Sequence, residues 1–138
     1  MAKALTICQP YATMIARGEK RIENRTWSTA HRGMLYIHAG KSREYWDDEL
    51  DASRYPNAPF GAVIAIADLV NVVHIDDLND GEYDIRHPGL RGNVHAQGPW
   101  CWILDRVSPI GPWPWKGAQG LWDIDEKALD RLATRLIA

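Results

Sequence analysis

Cysteine is scarce in this chain, which has only two, Cys8 and Cys101, among its 138 residues. They are far apart and each lies in an apolar segment, whereas zinc sites, redox centres and disulfide frameworks need closely spaced or numerous cysteines. We interpret both as reduced packing residues. The five histidines show no HxxxH spacing, and none lies near the cysteines in a ligand pattern. We therefore expect no metal ion and no cofactor.

Long apolar runs are also absent. No segment has the length needed to cross a bilayer, and the first residues, MAKALTICQPY, lack the order of basic, apolar and small residues typical of a signal peptide. These absences predict a cytoplasmic protein without a membrane partner. With 46% hydrophobic and 25% charged residues, the chain has the size and balance of one globular domain spanning residues 1–138.

Neither sign of charge dominates, because 16 Lys and Arg face 18 Asp and Glu, for a formal net charge of −2. This balance argues against the wholly basic surface of an indiscriminate nucleic-acid binder. Residues 1–43, however, contain eight Lys or Arg and two Glu, a net charge of +6, and the remainder carries −8. The asymmetry fits an anionic partner that meets one face, unless the sequence halves do not map to faces.

What the chain does contain is a series of short elements separated by glycine-rich turns. An apolar run at Ala4–Cys8 precedes a helix that begins at Pro10 and stops at Gly18. Strands are predicted at 20–27, 33–39, 61–73, 100–107 and 121–124, and a helix capped by Asp123 or Asp125 at 125–138. Residues 74–98 read as a loop with one helical turn around Ile75 to Leu78, and GPWPWKGAQG reads as a rigid turn. This pattern indicates an α+β fold, a small, partly closed β-barrel of about five or six short strands with an N-terminal and a C-terminal helix.

The run GEKRIENRTW, residues 18–27, concentrates charged, amide and indole groups beside a turn glycine. Strand alternation would place Glu23, Arg25 and Trp27 on one face and Lys20 on the other, with Ile22 and Asn24. Lys20 and Arg25 can hold phosphate, Glu23 can accept from a base amine, and Trp27 offers a stacking face. The alternative is an ordinary surface ion-pair network.

A family resemblance rests on this run and its surroundings. Gly18, Lys20, Glu23 and Arg25 form the pattern GxKxxExR directly after the helix QPYATMIARG, and IHAGK and WKGAQGLWDI follow in matching order. The whole resembles the ASCH domain of the PUA-like superfamily, except at residues 44–59 and 76–98. The resemblance implies a PUA-like barrel and a pocket under the first helix that engages single-stranded RNA or a nucleoside or nucleotide.

Other residues are candidates for the same pocket. Tyr11 lies in the first helix, and Gln9 before it can read a base edge or cap the helix. His38 and Lys41 end a strand where a pocket rim is expected, although a lone histidine after apolar residues is often a satisfied core side chain. The segment that resembles the closing strand of the family adds three further candidates, Lys116, Gln119 and Trp122.

Catalysis is an alternative to binding. Some small ASCH proteins resemble amidohydrolases in which a lysine activates a threonine three residues later. Lys20 matches that lysine, but Glu23 occupies the position of the threonine. Thr26 is a poor replacement for the missing nucleophile. A ribonuclease is a second possibility, in which Lys20, Glu23, Arg25 and His38 act as cation, base, cation and acid.

A third interpretation is a protein-interaction or transcription-coregulator module, with Glu44–Tyr55 or the PWPW turn at 112–115 as the contact surface. An exposed PWPW patch would also suit a homodimer contact.

Overall fold

The apolar, β-branched run predicted at 61–73 forms a central strand of 13 residues in a six-stranded mixed sheet. The computed structural model of the protein describes residues 1–137, so Ala138, the last residue of the predicted C-terminal helix, lies outside it. The elements are β1 Ala2–Ile7, α1 Tyr11–Ala16, β2 Ile22–Arg25, β3 Gly33–Ala39, α2 Leu50–Arg54, β4 Ala62–His74, α3 Ile75–Asn79, β5 Trp100–Pro114, β6 Leu121–Ile124 and α4 Glu126–Ile137.

The strands follow the order β2-β5-β4-β3-β1-β6. β1 runs parallel to β3, and the other neighbouring pairs are antiparallel. Within the described chain β2 and β6 form the two edges and do not pair, so the sheet is not closed. Repeated register shifts between β4 and β5 mark bulges, which bend a sheet.

Two apolar layers cover the sheet because side chains alternate along each strand. On one face Leu5 and Ile37 belong to a core cluster that also takes in Ile15 of α1. On the other face Ala4 and Tyr36, which are register partners, pack with Leu129 of α4. A third cluster joins Ile22 of β2 and Ile103 of β5 to Leu78 and Leu90. The last two side chains come from the segment predicted as a loop, residues 74–98, which therefore contributes to the core.

Two expectations from the sequence are wrong. β2 begins at Ile22, so Lys20 lies in the preceding turn and its side chain joins Glu23 instead of pointing to the opposite face. The predicted rigid turn GPWP continues β5, which pairs with β4 as far as Pro114. Trp113 and Trp115 are half-buried there against the cluster below α4. This packing leaves less apolar surface for the expected homodimer contact, which stays a prediction.

Candidate nucleic-acid interface

A cavity of about 480 Å³ opens where the end of β1, the start of α1 and strand β2 meet two loops. We call it the signature pocket. It is lined by Thr6, Ile7, Cys8, Tyr11, Lys20, Glu23, Asn24, Arg25, Thr26, Trp27, Tyr45, His95 and Gln97. Its volume lies in the range of small-molecule sites in proteins.

The turn between α1 and β2 positions the charged residues of the pocket. Gly18 ends the helix with φ +78°, a left-handed conformation that costs glycine little. The amides of Glu19 and Lys20 then both donate to the carbonyl of Met14, at 2.9 and 3.3 Å. This tight reversal turns the Lys20 side chain back toward the strand that follows.

Lys20, Glu23 and Arg25 form one ion-pair cluster on the pocket floor. Lys20 Nζ lies 3.1 Å from Glu23 Oε1, and it also donates to the Ile22 carbonyl. Arg25 contacts the other carboxylate oxygen through two nitrogens, with Nε at 3.1 Å and Nη2 at 2.9 Å from Glu23 Oε2. Since both carboxylate oxygens are engaged, the cluster holds a fixed geometry with one net positive charge when all three groups are ionised.

Burial sets the electrostatics of this floor. Lys20 is only 4% exposed, and the loss of solvent lowers the pKa of its ammonium, while the neighbouring Glu23 carboxylate partly restores that pKa. The Lys20 ammonium also lies 5.7 Å from the centroid of the Tyr11 ring, within cation–π range. Arg25 is more accessible, with about a fifth of its side chain (22%) exposed.

A buried hydrogen-bond chain holds Arg25 from behind. Arg25 Nη2 donates to the Thr6 carbonyl at 2.8 Å. His38 Nε2 lies 2.7 Å from the Trp115 carbonyl, which can only accept, so His38 carries its proton on Nε2 and its Nδ1 accepts from Thr6 Oγ1 at 3.2 Å. Trp122 Nε1 donates to the same hydroxyl at 3.1 Å. Burial lowers the pKa of His38, which keeps the imidazole neutral and suited to this chain.

Aromatic rings form the walls of the signature pocket. Trp27 meets the buried Trp102 edge to face at 4.8 Å, and Trp102 Nε1 donates to the Trp27 carbonyl at 3.2 Å. The packing of the Trp27 ring is therefore fixed from behind by a second indole. Tyr45, which is 54% exposed, lies 5.8 Å from Tyr11 across the mouth.

The segment that carries Tyr45, residues 41–60, is tied across α1 at two points. The Tyr55 hydroxyl donates to Glu19 Oε2 at 2.7 Å, just beyond the end of the helix. At the start of the helix, Gln9 Nε2 donates to the Pro59 carbonyl at 2.8 Å. These two bonds anchor the segment and so place Tyr45 beside the pocket.

The end of the 76–98 segment closes the remaining side. Asn24 Nδ2 donates to the His95 carbonyl at 2.9 Å, and Asn24 Oδ1 accepts from the amides of Gln97 and Gly98 at 3.0 and 2.7 Å. One strand residue therefore holds three loop residues in place. Burial, with a smaller contribution from Lys20, lowers the pKa of His95.

The structure brings together some of the residues proposed from the sequence and not others. Five of them line the signature pocket: Tyr11, Lys20, Glu23, Arg25 and Trp27. Gln9 is fully buried, and its Oε1 accepts from the Thr13 amide at 2.9 Å, so it caps α1. His38 and Trp122 lie behind the pocket wall, in contact with Thr6. Lys41 packs against Gly61 and Gln119 is exposed, both outside the pocket lining.

Sequence reasoning missed several lining residues: Thr6, Cys8, Tyr45, His95 and Gln97. Tyr45 and His95 come from the two segments without a match to the family pattern. Only the general tendency of long loops to carry binding residues pointed to them.

In the described chain no helix is long and apolar enough to span a membrane. No group of three or more His, Cys, Asp or Glu suited to a metal ion occurs in residues 1–137.

Comparisons with known proteins agree on one family. Residues 5–98 match the model of the ASCH domain. The chain is 29% identical over 136 residues to Activating signal cointegrator 1 of Homo sapiens and to that of Mus musculus, with 89% of this chain aligned. It spans about a fifth (22%) of the length of these relatives.

The fold is likewise that of known structures. The crystal structure of ASCH from Zymomonas mobilis superposes with a TM-score of 0.58 at 15% identity, covering 96% of this chain and 93% of that one. A tyrosine-to-phenylalanine mutant of the same protein gives a TM-score of 0.56, also at 15% identity, with 96% of each chain covered. At this identity the likeness concerns the fold alone, and it confirms the predicted α+β class with an N-terminal and a C-terminal helix.

Proposed function

The chain belongs to the ASCH domain family, and from this premise we propose that it is an RNA- or nucleotide-binding module whose signature pocket takes in one base of a single strand. The observation that carries the proposal is the composition of the pocket. A rigid, nearly neutralised ionic floor lies between aromatic walls, and this combination suits a flat, polar, weakly charged group.

The floor favours a base over a phosphate as the group that is buried. Lys20 is almost inaccessible and already donates to Glu23 and to a carbonyl, so its ammonium has little left to offer an anion. Arg25 engages Glu23 and Thr6 through Nε and Nη2. Its remaining donors at Nη1 suit a base carbonyl or a single phosphate oxygen at the mouth.

The walls supply the stacking that single-stranded recognition uses. Tyr11, Trp27 and Tyr45 are each partly exposed and line the pocket. Stacking on such rings contributes about 1–3 kcal/mol per base and tolerates any base. Gln97 and His95 add neutral hydrogen-bonding groups to the pocket lining, and these groups can read a base edge.

The test is a binding titration with labelled, mixed-sequence single-stranded RNA of about 12 nucleotides, a length within the range that small binding domains cover. We expect Tyr11→Ala and Arg25→Ala each to weaken binding about tenfold or more. Arg86→Ala is the matched control, because Arg86 is exposed and outside the pocket lining. The proposal is wrong if wild type binds no RNA, mononucleotide or nucleoside, or if the pocket variants bind like the control.

One observation favours a second candidate, a hydrolase acting on RNA or on a modified nucleoside. Lys20 has a lowered pKa and contacts Glu23, and His95, whose pKa is also lowered, lines the same pocket. Perturbed groups that share a cavity are typical of general acid–base sites. Thr26 and Cys8 line it too and carry the available hydroxyl and thiol.

Turnover decides between the two candidates. Labelled RNA and a panel of acylated nucleosides are incubated with wild type, Glu23→Gln and His95→Gln, with and without EDTA. Product formed by wild type and lost in the variants, while circular dichroism shows an intact fold, would make the protein a hydrolase. RNA recovered intact from a stable complex would leave the binding module as its function.

A further inference from the structure

A second cavity, of about 770 Å³, lies between the end of β5 and helix α4, outside the signature pocket. We call it the α4 groove. Its lining combines an aromatic and apolar base with charged rims: Pro114, Trp115, Lys116, Ala128, Asp130, Arg131, Leu132, Thr134 and Arg135. The charged groups are three cations and one carboxylate, so the groove has a formal charge of +2 although the chain has −2.

Within the part of the chain that the structure describes, the cations of the groove have no acidic partner. Across residues 1–137, Lys116, Arg131 and Arg135 form no ion pair, and all three are exposed. Elsewhere on the described surface, Lys3, Arg91 and Arg106 pair with carboxylates, whereas Arg54 and Arg86, which lie outside the groove, form no ion pair. The groove therefore presents its charge to a ligand rather than neutralising it internally.

The spacing of these cations suits an extended polyanion. Arg131 and Arg135 lie four residues apart on one side of α4, about 6 Å apart along its axis, and Lys127, outside the groove lining, continues the same row. Lys116, from the loop after β5, and the half-buried Trp115 line the same groove. Basic groups beside an exposed aromatic ring are the pattern by which proteins bind single strands without reading sequence.

The groove also lies close to the signature pocket. Trp115 lines the groove, Thr6 lines the pocket, and the His38 ring bridges the two, with its nitrogens 2.7 Å from the Trp115 carbonyl and 3.2 Å from Thr6 Oγ1. The groove lies on the α4 face of the sheet and the pocket on the α1 face, so a strand that touches both must pass around the edge of the sheet. Small domains of this kind cover about 4 to 16 nucleotides.

We propose that the α4 groove binds the phosphodiester backbone of the same single-stranded RNA whose base enters the signature pocket. The inference rests on the proposed binding function and extends it. The pocket holds one base and supplies selectivity, whereas the groove holds neighbouring phosphates and supplies the salt-dependent part of the affinity.

The experiment compares two double variants that change the charge equally. Arg131→Glu with Arg135→Glu reverses the charge of the groove, and Arg54→Glu with Arg86→Glu reverses two exposed arginines outside it, one in α2 and one between α3 and β5. Binding of labelled RNA of about 12 nucleotides and of about 2 nucleotides is measured over a series of salt concentrations. Arg131→Gln with Arg135→Gln serves as a milder version, should charge reversal disturb α4.

We expect the groove variant to bind the longer RNA at least about tenfold more weakly than the control, and the slope of log affinity against log salt to fall by about 0.7 for each lost phosphate contact. Affinity for the shorter RNA should be unchanged. If the groove variants match the control on the longer RNA, the groove proposal is wrong and the pocket proposal stands. If wild type binds neither RNA at any salt concentration, both are wrong.

Discussion

At the scale of single residues, Glu23 is the side chain on which the signature pocket depends. It contacts Lys20 through one oxygen and Arg25 through the other. The carboxylate of Glu23, the ammonium of Lys20 and the guanidinium of Arg25 each lose solvent in the pocket. Their mutual attraction offsets the free-energy cost of that desolvation only when all three are present. The motif spacing predicted that these residues would act together. It did not predict that Lys20 would leave the strand and become the most buried of them, because that depends on the turn after Gly18.

Removing the carboxylate should therefore destabilise the protein. In Glu23→Gln, Lys20 stays buried without its counter-charge, and we expect the free energy of unfolding to fall by about 3 kcal/mol. Chemical denaturation measures this change, with Glu82→Gln, an exposed residue outside any ion pair of the described chain, as the control. Adding Lys20→Met should recover part of the loss. A Glu23→Gln protein as stable as the control would contradict the role given to the cluster.

His38 should make stability depend on pH. Burial lowers its pKa in the folded state below the ordinary 6.5, so between the two values the unfolded chain binds more protons. Stability is then highest above pH 6.5 and falls as pH drops toward the folded-state pKa. Denaturation of wild type and His38→Gln on both sides of the ordinary histidine pKa tests this. The variant should lose stability less steeply on acidification; equal slopes would mean that His38 does not contribute.

At the scale of elements, the sequence predicted most strands because apolar alternation and glycine turns define them. It placed β3 at 33–39 and β6 at 121–124, as observed. β5 was predicted too short, since prolines in GPWP suggested a turn, whereas the bulged pairing with β4 accommodates them. The pocket walls at Tyr45 and His95 could not be predicted, because their positions depend on long-range bonds made by Tyr55, Gln9 and Asn24.

The start of α4 offers a test at this scale. The sequence allowed Asp123 or Asp125 as its cap, and in the structure Asp125 Oδ1 accepts from the amides of Lys127 and Ala128 at 3.1 and 3.2 Å. Asp125→Ala should lower the free energy of unfolding by about 1 kcal/mol. Asp123→Ala loses only a surface pair with Lys3 and should cost less. Thermal melts of both variants show which one loses more stability. A larger loss in Asp123→Ala than in Asp125→Ala would contradict the role of Asp125 as the cap.

At the scale of the whole molecule, the segment at 74–98 is the largest difference between expectation and structure. Beyond the end of β4 it lacks strands, as its glycines and prolines predicted, yet it supplies Leu78 and Leu90 to the core cluster beside β2 and β5. Single apolar residues in a polar segment carry no periodic signal, so their burial could not be foreseen. The segment is part of the domain and also the carrier of the His95 wall.

Two substitutions within that segment should separate these roles. Leu90 is 1% exposed and Ile85 is 95% exposed. Leu90→Ala should lower the free energy of unfolding by roughly 2 to 4 kcal/mol, since it opens a cavity in the core. Ile85→Ala should leave stability within about 0.5 kcal/mol of wild type. Urea denaturation of both compares them, and similar midpoints would show that the segment does not stabilise the fold.

The pairing of β2 has a consequence for the order in which the chain can assemble as it leaves the ribosome. Residues 22–25, which carry the signature, hydrogen-bond only to residues 100–103 of β5 in the described sheet. The motif is thus synthesised early but has no strand to join until β5 has been made. A nascent chain halted before β5 would display the motif without the pocket, so ligand binding during translation should begin only after residues 100–103 emerge.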